Sequence, residues 1–333
     1  MKYYLIIPLI FLLLYLGKFL ILPLLFSFLI FILLRSVSNK ISSINAFGYS
    51  LNYYVSFFIV CLGLFLFFYF IGALVDNDIS KVIADTYIYQ KNIQEIISTI
   101  KTYELNSSLF STDNFFKNLD LKSILSNTLN FFTNAAGNIS LIIIYLIFFL
   151  IEEKFFKIKL EKISSNKSTK KILEKINKQI YEYFEIKILT SFFTGTLTFL
   201  ILLALSNNLA VLFGIFSFLL NFIPFIGSLI AIVLPVIFSI VQSLDFSISV
   251  LTIVSLIFVQ LLIGNFVEPK LMGKSLNLSP IIMIISLGIF GKIWGIAGMF
   301  LSVPILVVML IIFSNFNQTK KIAIFLSEKG NIK

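Results

Sequence analysis

Residues 3–34 form an apolar run broken by a charge only at Lys18, and comparable runs recur along the chain. They lie at about 50–75, 138–151, 189–206, 209–222, 228–241, 248–267, 279–290 and 293–313. A helix needs roughly 20 apolar residues to cross a hydrocarbon core of about 30 Å. No water-soluble interior could hide this many such segments, so lipid must solvate most of the surface. Composition agrees: 59% of the 333 residues are hydrophobic and 13% are charged, with a mean hydropathy of +1.01. A soluble domain carries roughly a quarter charged residues. The implied fold class is an all-α polytopic membrane protein of about eight transmembrane helices.

The same composition narrows the chemistry. The chain has no histidine, and its single cysteine, Cys61, lies in an apolar run. That removes the commonest general base and metal ligand, and it excludes a disulfide within the chain. No paired acids stand in the spans either, so an enzyme is not expected. No cofactor or metal is expected. The net charge of +10 does not form one basic face. The lysines gather at helix ends and in one linker, as in membrane topology rather than nucleic-acid binding.

Charge orients the chain. Residues 76–138 hold seven acids against five lysines, whereas 152–188 hold ten lysines against six acids. The positive-inside rule puts the second linker in the cytoplasm and the first outside, with one span between them. Both termini then fall inside, in a bacterial inner membrane. The organisation reads as a three-span region (1–75), an extracytoplasmic helical linker (76–138) and a fourth span (139–151). A basic amphipathic linker (152–188), a C-terminal transport core (189–315) and a cytoplasmic tail (316–333) follow. Run 3–34 reads as a hairpin of two spans, with a retained first span behind Lys2 rather than a cleaved leader. In the outer linker Ile93, Ile96, Ile97 and Ile100 recur at helical spacing, as do Leu121, Ile124 and Leu125. In the basic linker Leu173, Ile176, Ile180, Tyr183 and Phe184 make an apolar stripe, which suits a helix lying along the membrane surface, the alternative being an ordinary solvated cytoplasmic helix.

The C-terminal half departs from ordinary spans. Leu209–Phe222 and Ser228–Val241 are short, and Asn221-Phe222-Ile223-Pro224-Phe225-Ile226-Gly227 stands between them. Proline blocks helix continuation and glycine permits a sharp reversal. A re-entrant hairpin entering from outside fits these lengths. A second hairpin, entered from the cytoplasm, is expected at 279–313 around Gly291, Trp294, Gly295 and Gly298, with Pro304 in its second arm. Two sets of one span plus one broken hairpin, of opposite orientation, would be an inverted repeat of the transporter kind. Among the few polar groups in these spans are Gln260, Asn265 and Glu268. Glu268 is the best carboxylate candidate, the alternative being a headgroup-level residue paired with Lys270 or Lys274.

Two stretches carry a family resemblance. They are Ile223-Pro224-Phe225-Ile226-Gly227, and Gly264-Asn265 with Glu268-Pro269-Lys270, Gly273-Lys274-Ser275 and Leu278-Ser279-Pro280. Here the chain resembles the AI-2E (autoinducer-2 exporter-like) family of bacterial permeases. Gly291, Trp294-Gly295, Gly298-Met299 and Val303-Pro304 look like that family's C-terminal element. The resemblance implies an oligomeric inner-membrane exporter of a small solute, an AI-2-like signal or a related metabolite, without nucleic-acid partners. Ile263 stands where many members carry an acid before the Gly-Asn pair, which weakens an ion-coupled mechanism drawn from the family.

The expected path or hinge residues are Asn221, Pro224, Gly227, Gln260, Asn265, Glu268, Pro269, Gly273 and Pro304. Gly273-Lys274-Ser275 lacks the upstream glycine of an ATP-binding loop, so transport would be gradient-driven or facilitative. A cation–proton antiporter of the Na+/H+ type and a non-transporting membrane scaffold are the alternatives.

Overall fold

Within hydrocarbon a backbone must satisfy its own polar groups, and the helix is the solution open to a single segment. The computed structural model describes all residues except 1–2, 44–51, 103–138, 154, 156–157, 160–166, 273–276 and 331–333. Every named element among the described residues is helical. The order is α1 (Tyr3–Leu16), α2 (Lys18–Ser42), α3 (Tyr53–Ala84), α4 (Thr86–Thr102), α5 (139–153) and α6 (Lys167–Ala204). Then come α7 (Ala210–Leu220), α8 (Ile226–Ser243), α9 (Phe246–Gln260), a π-helical turn (Leu261–Val267), α10 (Glu268–Met272), α11 (Pro280–Ser314) and α12 (Lys320–Leu326). Six helical stretches among the described residues are long and apolar enough to cross a membrane. The chain is therefore an all-α membrane protein.

It divides into two compact units. The first comprises Met1–Phe65, Ala136–Ile188 and Lys270–Lys333, and the second Leu66–Ala135 and Leu189–Pro269. In the first unit Phe31 and Leu34 of α2 pack with Phe57 of α3, joined by Leu146, Phe149 and Leu150 of α5. Arg35 pairs with Glu153 at 3.0 Å, and the Tyr53 hydroxyl donates to the same carboxylate at 3.2 Å. These polar contacts bind α2, α3 and α5 at one end of their shared apolar core.

Two elements differ from the sequence-based expectation. The run at 3–34 predicts a pair of spans, but α1 has only 14 residues, and α2, with 25, is the member of spanning length. The stripe at 173–184 predicts a helix along the membrane surface. It belongs instead to one uninterrupted helix of 38 residues, α6, which continues into the apolar stretch beyond 188. No proline or glycine occurs between 167 and 194 to turn it. Its apolar stripe is a packing face, with Ile180, Tyr183 and Phe184 buried.

In the second unit the start of the acidic linker joins the core. Val75, Ile79 and Val82 of α3 and Tyr89 and Ile93 of α4 pack with Leu202, Leu209, Phe213, Phe238, Val241 and Leu256. The isoleucine stripe at 93–97 is thus a packing face; the stripe at 121–125 lies outside the described residues.

These two helices also cap the hairpin that follows. The N-cap of α7 is Leu209, which has no side chain able to cap. Asp78 of α3 supplies the acceptor: the Val211 amide donates to its carboxylate at 3.1 Å, and the Leu212 amide also bonds it. These are the second and third amides of α7, the pair a local cap would bind. At the far end of α8, the Asn92 amide donates to the carbonyls of Val241 at 2.9 Å and Gln242 at 3.3 Å. Asn208 Nδ2 donates to the Tyr89 hydroxyl at 2.8 Å. Burial pushes that phenol above its usual range.

Asp78→Ala should lower stability by about 1–2 kcal/mol, the usual loss of a helix cap. Asp78→Asn, which keeps an acceptor oxygen, should lose less. Thermal unfolding in detergent checks the order of the two variants.

Candidate functional site

At about 1.5 Å per residue, the 11 residues of α7 cover about 16 Å, roughly half of the hydrocarbon thickness. The helix stops at Asn221, and Pro224 supplies no amide to extend it. Phe225 then turns the chain at φ 62° and ψ −61°, with the Ile226 amide donating to the Pro224 carbonyl at 2.7 Å. This is a tight γ-turn of the hand that side chains disfavour. Two residues on, Gly227 seats α8 on α7. A β-carbon there would lie 1.8 Å from the Leu220 carbonyl oxygen, so only hydrogen fits. The base of the hairpin is shut by Gln242, which accepts from the Asn208 amide at 2.9 Å and donates to the Ser206 carbonyl at 2.7 Å.

Against this hairpin stands α6, whose apolar stretch carries an unexpected polar row. Thr190, Ser191 and Thr194 are 0% exposed and Thr198 is 3% exposed, whereas Phe192 and Phe193 on the other side are 52% and 47% exposed. The spacing 190, 191, 194, 198 is one helical face. Small residues let the helices touch: a β-carbon on Gly195 would meet the Gly214 carbonyl at 2.7 Å, and one on Gly214 would meet that of Gly195 at 3.1 Å. One turn further along, buried Asn221 donates to the Ser191 hydroxyl at 3.0 Å. Ser217, between these contacts on α7, is buried, and its hydroxyl has no hydrogen-bond partner among the described residues.

Glu268 reaches the same row. The Thr190 hydroxyl donates to its Oε2 over a long 3.4 Å. Glu268 is brought there by the π-turn at Leu261–Val267, whose last bond runs from the Glu268 amide to the Ile263 carbonyl, five residues back. Pro269 explains the widened turn, because its ring would press on the carbonyl of Asn265, four residues earlier, in a regular helix. Gln260 is half-buried just before this turn, and Gly264 lies beside its side-chain oxygen. Asn265 is exposed.

The structure thus brings Asn221 and Glu268 onto neighbouring residues of one helix face. Pro224 and Gly227 lie at the hairpin tip, while Gln260 precedes the π-turn, Asn265 is exposed within it and Pro269 follows it. Gly273 lies outside the described residues.

Pro304 is buried in the first unit, within the second hairpin. There α11 breaks at Gly295, whose φ of 65° and ψ of −145° only glycine adopts readily. Gly298 packs as Gly227 does: a β-carbon on it would lie 2.0 Å from the Phe290 carbonyl oxygen. Residues eight apart touch in this way only if the chain reverses. Trp294 secures the turn, its indole N–H donating to the Leu14 carbonyl at 2.9 Å beside the break at Gly17.

A search for acids within the spans passes over the hydroxyl row. Its signal is present all the same, since Thr190, Ser191, Thr194 and Thr198 recur at helical spacing inside an apolar stretch. Asp78 and Asn92 give none, because their partners lie 133 and 149 residues away.

A family model described as AI-2E family transporter matches residues 4–318. The AI-2 transport protein TqsA of Escherichia coli K12 is 28% identical over 201 residues, which cover 59% of this chain and 57% of that protein. A protein of Borreliella burgdorferi, provisionally named a transport protein, is 37% identical over 193 residues, covering 56% of this chain and 53% of its own. One of Haemophilus influenzae, named in the same way, is 27% identical over 280 residues and 80% of each chain. The chain thus spans about half the length of two of these relatives and four-fifths of the third.

Two glycine substitutions should separate packing from mere flexibility. Gly227→Ala should destabilise by about 1–3 kcal/mol or more, because the Leu220 carbonyl must move. Gly288→Ala, where a β-carbon meets nothing within 4 Å, should be neutral or mildly stabilising. Phe225→Gly should raise stability by about 1 kcal/mol by relieving the γ-turn. Unfolding midpoints in one detergent test all three.

Proposed function

We propose that this chain, which belongs to the AI-2E transporter family, exports a small polar solute along the hydroxyl face of α6. The observation that carries the reading is the meeting of that buried face with the hairpin tip through Ser191 and Asn221, and with Glu268 through Thr190. Hydroxyl and amide groups are costly to bury in an apolar setting, and they suit a solute that exchanges hydrogen bonds as it passes. Phe192 and Phe193 on the opposite face suit lipid. In this reading the solute is an AI-2-like signal or a related metabolite, in keeping with the name of TqsA. No ATP-binding loop accompanies the site, so movement follows a gradient or is facilitative. The protein sits in the inner membrane with both termini in the cytoplasm and works as a homo-oligomer.

One observation favours a second reading, a cation–proton antiporter: the acid at the row, Glu268, lies against a hydroxyl and could exchange a proton for a cation. The two readings part on Glu268→Gln. For solute export, Asn221→Ala should slow efflux by several-fold to about tenfold, the scale of one lost buried hydrogen bond, while Glu268→Gln keeps measurable efflux. Extracellular metabolites compared between a deletion strain and strains complemented with each variant test this. If no metabolite depends on the protein, and a sodium pulse changes the internal pH of proteoliposomes only with Glu268 present, the antiporter reading replaces export.

A further inference from the structure

The base of the second hairpin is closed by the end of the chain itself. Across 35 residues, a straight α11 would hold its ends about 52 Å apart. Yet the chain is back at the start of α11 only 12 residues after leaving it at Ser314. The Ser279 amide donates to the Leu326 carbonyl at 3.0 Å, the Glu328 amide donates to the Asn277 carbonyl at 3.2 Å, and Leu278 bridges Ser327. The two ends of α11 are therefore far closer than a straight helix would hold them, with α12 bridging them. Ala323 and Leu326 face inward and are buried.

The outward side of α12 has no protein cover among the described residues. Phe325 is 72% exposed, and Ile322 and Ile324 are exposed as well. Lys320, Lys321 and Lys329 are exposed around them, against the single acid Glu328. The two lysines in the first turn do nothing for the helix, because cations there oppose its dipole. The arms of α11 are apolar and belong in the bilayer, so a strap across their shared base sits at the depth of the headgroups. Exposed apolar side chains bordered by lysines at that depth match the boundary between acyl chains and anionic headgroups.

We propose that α12 is a lipid-binding strap, its Ile322, Ile324 and Phe325 in the acyl boundary and its lysines on anionic headgroups. Anionic lipid then holds the base of the second hairpin closed. The proposal is independent of the transported solute.

The test uses the full chain in vesicles, with Cys61→Ser and Ile324→Cys carrying an environment-sensitive fluorophore. Vesicles of phosphatidylglycerol and phosphatidylethanolamine should shield the label from aqueous iodide and expose it to a shallow spin-labelled lipid. In the same vesicles, K320Q, K321Q and K329Q should each lower the ratio of lipid to iodide quenching, by up to roughly fivefold per lysine replaced. Phosphatidylcholine vesicles should lower it for the unaltered lysines too. A second label at Ile322→Cys should behave alike, which guards against a local fault at one site. Open access of iodide in the anionic vesicles overturns the proposal. So does disulfide cross-linking of unlabelled Ile324→Cys between two copies in the anionic vesicles, which would mean that a second copy of the chain covers α12. Shielding unchanged by removal of the lysines overturns it as well.

Discussion

A chain that reverses inside hydrocarbon must leave no backbone group without a partner, and it has no water to call on. Both hairpins of this protein reverse on the same local geometry. Each turns on a residue of positive φ, Phe225 or Gly295, and each then lays a glycine against a carbonyl of the arm before it. The approach of Gly227 to Leu220 and of Gly298 to Phe290 leaves room for hydrogen alone. Everything else placed at the tips follows from this closeness. Asn221 meets Ser191 because α7 stops where it does and because Gly195 and Gly214 let α6 and α7 approach.

The hairpins differ in how their bases are held. The first is fastened by side chains from distant helices, with Asp78 at the amide end of α7 and Asn92 at the carbonyl end of α8. Gln242 closes the remaining gap. The second is fastened by backbone, through the return of the C-terminal segment to Asn277 and Ser279. Fixed bases and tight tips hold the hydroxyl face of α6 as one place in the second unit where buried polar groups meet in an otherwise apolar setting.

Much of this is legible in the sequence. The membrane class follows from the apolar runs, and the two reversals follow from Pro224, Gly227, Gly295 and Gly298, because breakers in an apolar run have few other uses. Resemblance around Pro224 and Glu268 points to the family. What escapes is long-range or periodic. Asp78 looks like one acid among seven in a polar linker, since nothing local marks a cap for a helix more than a hundred residues away. The hydroxyl row is hidden from a search for charge. The stripe at 173–184 has the pattern of a surface helix, and only its unbroken continuation into α6 shows otherwise. The C-terminal segment reads as a plain tail because a strap made of backbone bonds leaves no side-chain signature.

Transport by this route requires that the hydroxyl face of α6, buried in this structure, opens to water in the working protein and that the phenyl face does not. Single cysteines at Thr194 and Ser217, in a Cys61→Ser background, can be exposed to a small membrane-impermeant thiol reagent in intact membranes, with Phe193→Cys as the lipid-facing control. Modification at Thr194 and Ser217 with none at Phe193 is the predicted result. Protection at both row positions, under conditions that modify a cysteine at the loop residue Asn208, would contradict it.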